Sequence, residues 1–311
     1  MKWRVLVSAP YAMPVIDMYK TVLNAADCDV VVAEVNERLS EAELLPLVGD
    51  VDAIICGDDA ITSRVLDAAP RLKVISKWGT GIDSIDQEAC AERGVKVCNT
   101  PNAFSEPVAD TVLGYMLMFT RKLEQMNREI REGHWDKPAS SALRESTLGI
   151  IGLGNCGSAV ARRAAAFGMK ILANDLLEID GEFLGNMEIE MVSKEQLLST
   201  ADFVTLNTTL NPSSYQLMND SAFLLMKPTA FLINTSRGDI VDEVALVHAL
   251  EKEQLAGAGL DVFSVEPLPL DSPLRRFDNC WLGCHNANRS PQAAENVHQN
   301  TLRNALSAFG Q

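Results

Sequence analysis

The chain has 311 residues, 47% of them apolar, with a formal net charge of −15 at pH 7. That length suffices for two domains with separate cores, folding without help from metals or disulfides. So acidic a chain offers no basic face to release counterions from phosphates, which argues against nucleic acid or a membrane surface as partner. A small anionic substrate would need local positive charge at its site. The seven cysteines (28, 56, 90, 98, 156, 280, 284) are odd in number and scattered, mostly in or beside apolar runs, as suits reduced thiols in a cytoplasmic protein. Cys280, Cys284 and His285 look like a fragment of a zinc site but lack a second ligand pair, so no metal is expected. The opening MKWRVLVSAP reads as a strand and turn without a signal-peptide core, and no run approaches the roughly twenty apolar residues that span a bilayer.

Over residues 1–100, short apolar runs predict strands at Arg4–Val7, Val30–Ala33, Ala53–Cys56, Lys73–Ser76 and Val95–Cys98. Between them, Ser40–Val48 and Thr62–Ala69 carry helical spacing behind a Ser or Thr cap. The alternation predicts a parallel, doubly wound sheet. Pro101–Glu132 then carries a long helical pattern from Val108 through Met118 to Ile130, broken at Gly133-His134-Trp135. It reads as a crossing between domains and a helix that could face a second subunit.

Leu148–Ile151 is an apolar strand, and Gly152, Gly154 and Gly157 follow as G-x-G-x-x-G where a helix should begin. Gly152 permits a tight turn, Gly154 lets backbone approach a pyrophosphate, and Gly157 lets helix and strand pack closely. Phosphates would sit on the helix N-terminus. A second strand, Met169–Ala173, ends in Asn174-Asp175, and Asp175 stands eighteen residues after Gly157, near where a carboxylate accepts both ribose hydroxyls of NAD and repels the 2′-phosphate of NADP. Further strands are predicted at Phe203–Leu206, Ala230–Asn234 and Ala258–Val262, with helices at Ser221–Met226 and Val241–Glu251. Pro291–Phe309 is a last helix, with Ala294, Val297, Leu302, Leu306 and Phe309 near one face. The expectation is an α/β protein of two Rossmann- or flavodoxin-like domains with a cleft between them. Residues 1–100 plus 288–311 would form a discontinuous substrate domain, and 101–287 the NAD-binding domain.

Four segments fall on loops at the carboxyl ends of strands, where open α/β sheets bind ligands. Lys77-Trp78-Gly79-Thr80-Gly81 could present backbone N–H groups to a carboxylate, with Lys77 adding charge. Asn234-Thr235-Ser236-Arg237-Gly238 brings an arginine to the end of a buried strand, where it is costly without an anion or a structural salt bridge. Asp261 ends another strand with Glu266 in the loop beyond it, and Cys284-His285-Asn286-Ala287 follows later. Taken alone, His285 is an ordinary histidine. Arginine, glutamate and histidine together beside a dinucleotide fold suit hydride transfer between nicotinamide and a 2-hydroxy or 2-keto acid. The carbonyl oxygen gains charge as hydride arrives, so His285 would donate a proton, Glu266 would stabilise its imidazolium, and Arg237 would grip the substrate carboxylate. His134, His248 and His298 read as structural or solvent-facing, and Asp83 and Asp86 as helix caps.

The segments G-L-G-N-C-G, N-T-S-R-G-D-I-V-D, A-G-L-D-V-F-S-V-E-P-L and C-H-N-A, in this order and spacing, resemble the D-isomer-specific 2-hydroxyacid dehydrogenase family. K-W-G-T-G-I-D-S-I-D and N-T-P-N-A-F-S-E-P-V-A-D are most similar to its phosphoglycerate dehydrogenase branch. The resemblance implies catalytic positions at Arg237, Glu266 and His285, and substrate contacts from Lys77 to Gly81 and Arg237. It implies NAD contacts from Thr80, Gly152, Gly154, Asn155, Cys156, Gly157, Asp175, Thr208, Thr235, Ser236, Asp261, His285 and Ala287, and a homodimer built through the cofactor domain.

The chain also departs from that pattern. Asn155 and Cys156 stand where a basic and an aliphatic residue are usual, Cys284 replaces a proline, and Asn207-Thr208-Thr209-Leu210 replaces a segment richer in His and Pro. Phosphoglycerate dehydrogenases tend to carry an arginine after the third strand; here that stretch is Cys56-Gly57-Asp58-Asp59, whose carboxylates would repel a phosphate. Glycerate, hydroxypyruvate or glyoxylate is therefore the expected substrate ahead of 3-phosphoglycerate. The alternative function is an NAD-sensing regulator on the same fold.

Overall fold

Five short strands, β1 (Trp3–Val7), β2 (Cys28–Val32), β3 (Ala53–Cys56), β4 (Val74–Lys77) and β5 (Lys96–Cys98), pair in parallel in the order β2-β1-β3-β4-β5 in the computed structural model, which describes residues 2–309. Every residue of β3 and β4 is buried. Strands covered on both faces run apolar without alternating, which is why β3 is readable residue for residue. Helices α1 (Ile16–Ala25), α2 (Glu41–Leu44), α3 (Ser63–Asp67) and α4 (Gln87–Glu92) connect them. Ser40 and Glu43 form a reciprocal cap on α2, Thr62 caps α3, and Asp86 rather than Asp83 caps α4.

The expected single helix through Val108 and Ile130 is two helices. α5 (Ser105–Arg121) ends at Lys122, whose φ of 55° is left-handed, and α6 (Leu123–Arg131) restarts in a new direction. The left-handed residue breaks the hydrogen-bond ladder without glycine or proline, so sequence spacing runs straight through it. Seven strands follow: β6 (Thr147–Ile151), β7 (Lys170–Asn174), β8 (Ile189–Met191), β9 (Phe203–Leu206), β10 (Phe231–Asn234), β11 (Gly257–Leu260) and β12 (Cys280–Leu282). They pair in parallel in the order β12-β11-β10-β9-β6-β7-β8. The intervening helices are α7 (Asn155–Ala166), α8 (Gly181–Asn186), α9 (Lys194–Thr200), α10 (Asp220–Leu225) and α11 (Glu243–Glu251). Two cores sandwich the sheet: Ala109, Met116, Val160 and Ala164 of α5 and α7 pack with Leu148 and Ile150, while Leu197, Phe223 and Leu246 of α9, α10 and α11 pack with Val204 and Leu232. Helices on both faces of a parallel sheet make it doubly wound, with the strand order reversing at β6.

The described residues group into two compact units, Phe104–Arg289 as one, and the residues up to Ala103 with those from Ser290 onward as the other. The last helix, α12 (Pro291–Ser307), is capped by Ser290 and lies against α1 and β4 of that second group. Its buried stripe is Ala293, Val297, His298, Thr301, Leu302 and Ala305, which shifts the apolar face expected from Ala294 and Leu306 and brings a histidine inside. Among the described residues no helix is long and apolar enough to cross a membrane.

Candidate active site

The glycine loop joins β6 to α7 at the point where the seven-stranded order reverses. Gly152 has φ +89°, and a Cβ there would lie 2.7 Å from the Asn207 carbonyl oxygen; at Gly157 it would lie 2.0 Å from the Gly152 carbonyl oxygen. Both positions therefore exclude side chains. At Gly154, the cap of α7, a Cβ would meet nothing within 4 Å, so this backbone borders open space. The first turn of α7, through Asn155, Cys156 and Gly157, has no intrahelical partners for its N–H groups. An anion fits there without any basic side chain. Cys156 is half-buried with its Sγ 3.6 Å from Ser105 Oγ, and Asn155 is exposed.

Asp175 follows β7. Its Oδ2 accepts from Leu153 N at 2.6 Å and its Oδ1 from Leu177 N at 2.9 Å, which ties the carboxylate to the glycine loop itself. No lysine or arginine occurs from Leu176 to Gly181. These features fit NAD: a turn open to phosphates, a helix start pointing at it, and an acceptor carboxylate held at the next strand end.

Arg237, Glu266 and His285 stand on the loops after β10, β11 and β12, three adjacent strands at one end of the sheet. His285 Nδ1 lies 2.8 Å from Glu266 Oε2, with the two side chains 21% and 16% exposed. The other oxygen of Glu266 accepts from Phe263 N at 2.9 Å, and His285 N donates to the Asp261 carbonyl at 2.7 Å. Asp261 accepts from Asn286 N at 3.1 Å and Ala287 N at 2.7 Å, and burial raises its carboxyl above the usual carboxylate range. Its carboxylate thus shapes the histidine loop.

Two further residues align these loops, and sequence reading missed their roles. Asn234 Nδ2 donates to the Arg237 carbonyl at 2.8 Å, and Asn234 Oδ1 accepts from Ser236 N at 3.1 Å. Glu243, in the first turn of α11, accepts from Ser264 N at 2.7 Å. Asn234 had a legible signal, an amide at the end of a buried strand; Glu243 had none. Ser236 Oγ donates to the Leu206 carbonyl at 2.7 Å, Thr235 Oγ1 is buried without a partner, and Thr208 is half-buried. Cys280 packs inside the core and Cys284 is exposed.

In the other unit, the turn after β4 is stitched to its neighbour: Thr100 N donates to the Gly79 carbonyl at 2.8 Å, Thr80 Oγ1 to the Thr100 carbonyl at 2.9 Å, and Asn99 Nδ2 to the Thr80 carbonyl at 2.5 Å. Trp78 stacks on Tyr11 with ring centroids 4.4 Å apart. Its indole N–H donates to His298 Nδ1 at 2.9 Å, and the Tyr19 hydroxyl bonds the same nitrogen at 2.8 Å. An indole nitrogen can only donate, so Nδ1 of His298 holds a lone pair and the ring is the Nε2–H form. Two expectations need correction here. Lys77 adds no uncompensated charge, because its ammonium is 2.9 Å from Asp58 Oδ1. Asp59, one of the two carboxylates expected to repel a phosphate, is fully buried against Ser8 and Leu39 N.

A glycine turn at the switch point of a parallel sheet, with titratable groups on neighbouring strand ends, defines a dinucleotide-dependent enzyme of the α/β class. A family model for the NAD-binding domain of D-isomer specific 2-hydroxyacid dehydrogenases matches residues 113–287. A glyoxylate reductase of Thermofilum pendens is 40% identical over 292 residues, covering 91% of this chain and 86% of that protein. The crystal structure of D-lactate dehydrogenase from Aquifex aeolicus, complexed with NAD and lactic acid, is similar with a TM-score of 0.89 at 25% identity, covering 99% of this chain and 95% of that one. An NADPH-dependent glyoxylate/hydroxypyruvate reductase from Sinorhizobium meliloti, in complex with NADP and malonate, is similar with a TM-score of 0.86 at 30% identity, covering 100% and 95%. The chain belongs to the D-isomer-specific 2-hydroxyacid dehydrogenases, NAD-dependent oxidoreductases acting on the CH–OH group of 2-hydroxy acids.

Proposed function

We propose that this dehydrogenase reduces short 2-keto acids, glyoxylate and hydroxypyruvate foremost, with Arg237, Glu266 and His285 as its catalytic residues. The observation that carries this reading is the 2.8 Å bond between His285 Nδ1 and Glu266 Oε2 on loops adjacent to that of Arg237. Bound NADH supplies the hydride. His285 gives the proton from Nε2 to the carbonyl oxygen as charge builds there, while its Nδ1–H stays on Glu266, whose carboxylate stabilises the imidazolium before transfer. Arg237 binds the substrate carboxylate through its paired N–H groups. In the reverse direction His285 is the base.

The similarity to enzymes named for glyoxylate and hydroxypyruvate supports the substrate reading. Asp175 supports a preference for NAD over NADP, since a carboxylate at the ribose repels a 2′-phosphate. Remaining contacts proposed for NAD are Asn155, Cys156, Thr208, Thr235 and Ser236. The exposed Leu123, Ile130 and Trp135, on and just after the otherwise unburied α6, support a homodimer, which sedimentation would test. Seven free cysteines support a cytoplasmic setting.

The test is NADH oxidation by the purified protein against glyoxylate, hydroxypyruvate, pyruvate and 3-phosphohydroxypyruvate. Rapid turnover of the first two with little of the phosphorylated acid is expected. Preference for the phosphorylated acid would overturn the substrate, and a fully active Glu266→Gln variant with an unchanged pH profile would overturn the catalytic pair.

A further inference from the structure

The loop that carries Glu266 is held from two sides at a single peptide. Gly238, the residue after Arg237, packs directly on the Phe263–Ser264 peptide: a Cβ there would lie 1.9 Å from the Phe263 carbonyl carbon and 2.2 Å from Ser264 N. The same peptide gives its N–H to Glu243 Oε1 at 2.7 Å. The N–H one residue earlier, on Phe263, goes to Glu266 Oε1 at 2.9 Å, and the second oxygen of Glu266 meets His285 Nδ1 at 2.8 Å. A carboxylate from α11 and the carboxylate facing His285 therefore hold consecutive backbone amides. The helix itself does not need Glu243 as its cap, because Asp242 accepts from Val244 N and Ala245 N. Glu243 is half-buried, and among the described residues no lysine or arginine pairs with it. A carboxylate that loses solvation without a counter-ion is stabilised here by the charge-assisted bond to Ser264 N.

We propose that Glu243 is a positioning residue for proton transfer: by fixing the Ser264 amide, it sets where Glu266 stands against His285. This rests on the reading above that those two are the acid-base pair. The Phe263 side chain is anchored in the core and Gly238 covers one face of the peptide, so the bond to Glu243 removes the peptide's remaining freedom to tilt. A tilted Phe263–Ser264 peptide turns the neighbouring Phe263 N–H away from Glu266 and lets that carboxylate leave Nδ1. An imidazolium without its carboxylate is less stable, so less of His285 is protonated at a given pH. Asp261, the other carboxyl group of this unit that bears on the ring, is fixed by the Asn286 and Ala287 amides and does not depend on Glu243.

Two conservative variants separate position from charge. Glu243→Asp keeps the charge in the first turn of α11 but draws the acceptor back by about 1.5 Å, one C–C bond, and breaks the contact. Glu243→Gln keeps an acceptor at the same reach and loses the charge. The experiment measures kcat and KM for glyoxylate and hydroxypyruvate reduction across pH, with NADH affinity by fluorescence titration. In Glu243→Asp, kcat should fall about tenfold to a hundredfold with KM changed less, the scale of an ångström's misplacement. Its decline in rate at alkaline pH should begin lower by up to about one pH unit, since reduction needs the protonated ring. Glu243→Gln should keep the wild-type profile and most of kcat, and NADH affinity should be the same in all. Glu243→Ala, which leaves Ser264 N without the acceptor, is a second variant with the expected shift of Glu243→Asp should that protein fold poorly. A profile that moves in Glu243→Gln as much as in Glu243→Asp would assign the effect to charge, and profiles unmoved throughout would leave Glu243 a structural residue; either overturns the proposal. A wild-type enzyme whose rate does not decline at alkaline pH would instead overturn the acid role of His285 beneath it.

Discussion

The carboxyl edges of the two sheets use carboxylates in opposite ways. At the seven-stranded edge, Asp175, Asp261 and Glu266 accept from backbone N–H groups of Leu153 and Leu177, of Asn286 and Ala287, and of Phe263, so each shapes a loop before it meets any ligand. At the five-stranded edge, Asp58 meets the side chain of Lys77, and Asp59 meets that of Ser8 as well as Leu39 N. Backbone-directed carboxylates set geometry, whereas side-chain pairs set the sign and reach of the field at a surface. The first arrangement suits chemistry that tolerates little displacement.

Replacing the proton donor tests the first edge most severely. His285→Gln should lower kcat about 10²- to 10⁴-fold, the usual worth of a positioned general acid, with NADH affinity by fluorescence titration nearly intact. Retained turnover would show that the histidine loop only shapes the site. Next in size, Asp175→Ser should narrow the preference for NADH over NADPH roughly tenfold to a hundredfold, as expected for loss of a charged hydrogen-bonding group; an unchanged preference in steady-state kinetics would assign cofactor choice elsewhere.

At the other edge, Asp59→Ala leaves Ser8 Oγ and Leu39 N without their acceptor and should cost about 1–3 kcal/mol in urea unfolding. The smallest effect concerns His298. Burial holds its pKa below the ordinary value, with Glu295 opposing. The folded state thus favours the neutral ring, so stability is full above the unfolded-state pKa of roughly 6.5 and declines as pH falls through the lower folded value. His298→Asn should flatten the dependence of Tm on pH across that acidic window, and an unaltered slope would remove His298 as its source.

Legibility followed sequence distance. β3 and β9 are readable residue for residue because burial on both faces leaves unbroken apolar runs, and the glycine loop is readable because Gly152 and Gly157 admit no side chain. β8 and β12, three-residue edge strands each with a single buried residue, carry no periodic signal and were not anticipated. Helix α1 escaped for want of a capping side chain, since Val15 precedes it. The reach of Asp58 to Lys77 depends on the pairing of β3 with β4, and the bonds of His298 to Tyr19 and Trp78 join positions 279 and 220 residues apart. Composition fixes that such charges and rings exist; only the fold says which of them meet.

The discontinuity of one unit bears on how the chain is made. Synthesis runs from the N-terminus, so all of Phe104–Arg289 emerges before α12 does. Until then Trp78 and Tyr19 have no His298 to bond, Ser76 Oγ lacks the Thr301 carbonyl, and β4 lacks the helix that packs on it. The cofactor sheet is an uninterrupted segment and can close on the ribosome. The sheet begun first is the one finished last, and a nascent chain stalled before residue 290 would hold a completed dinucleotide fold beside one still missing a wall.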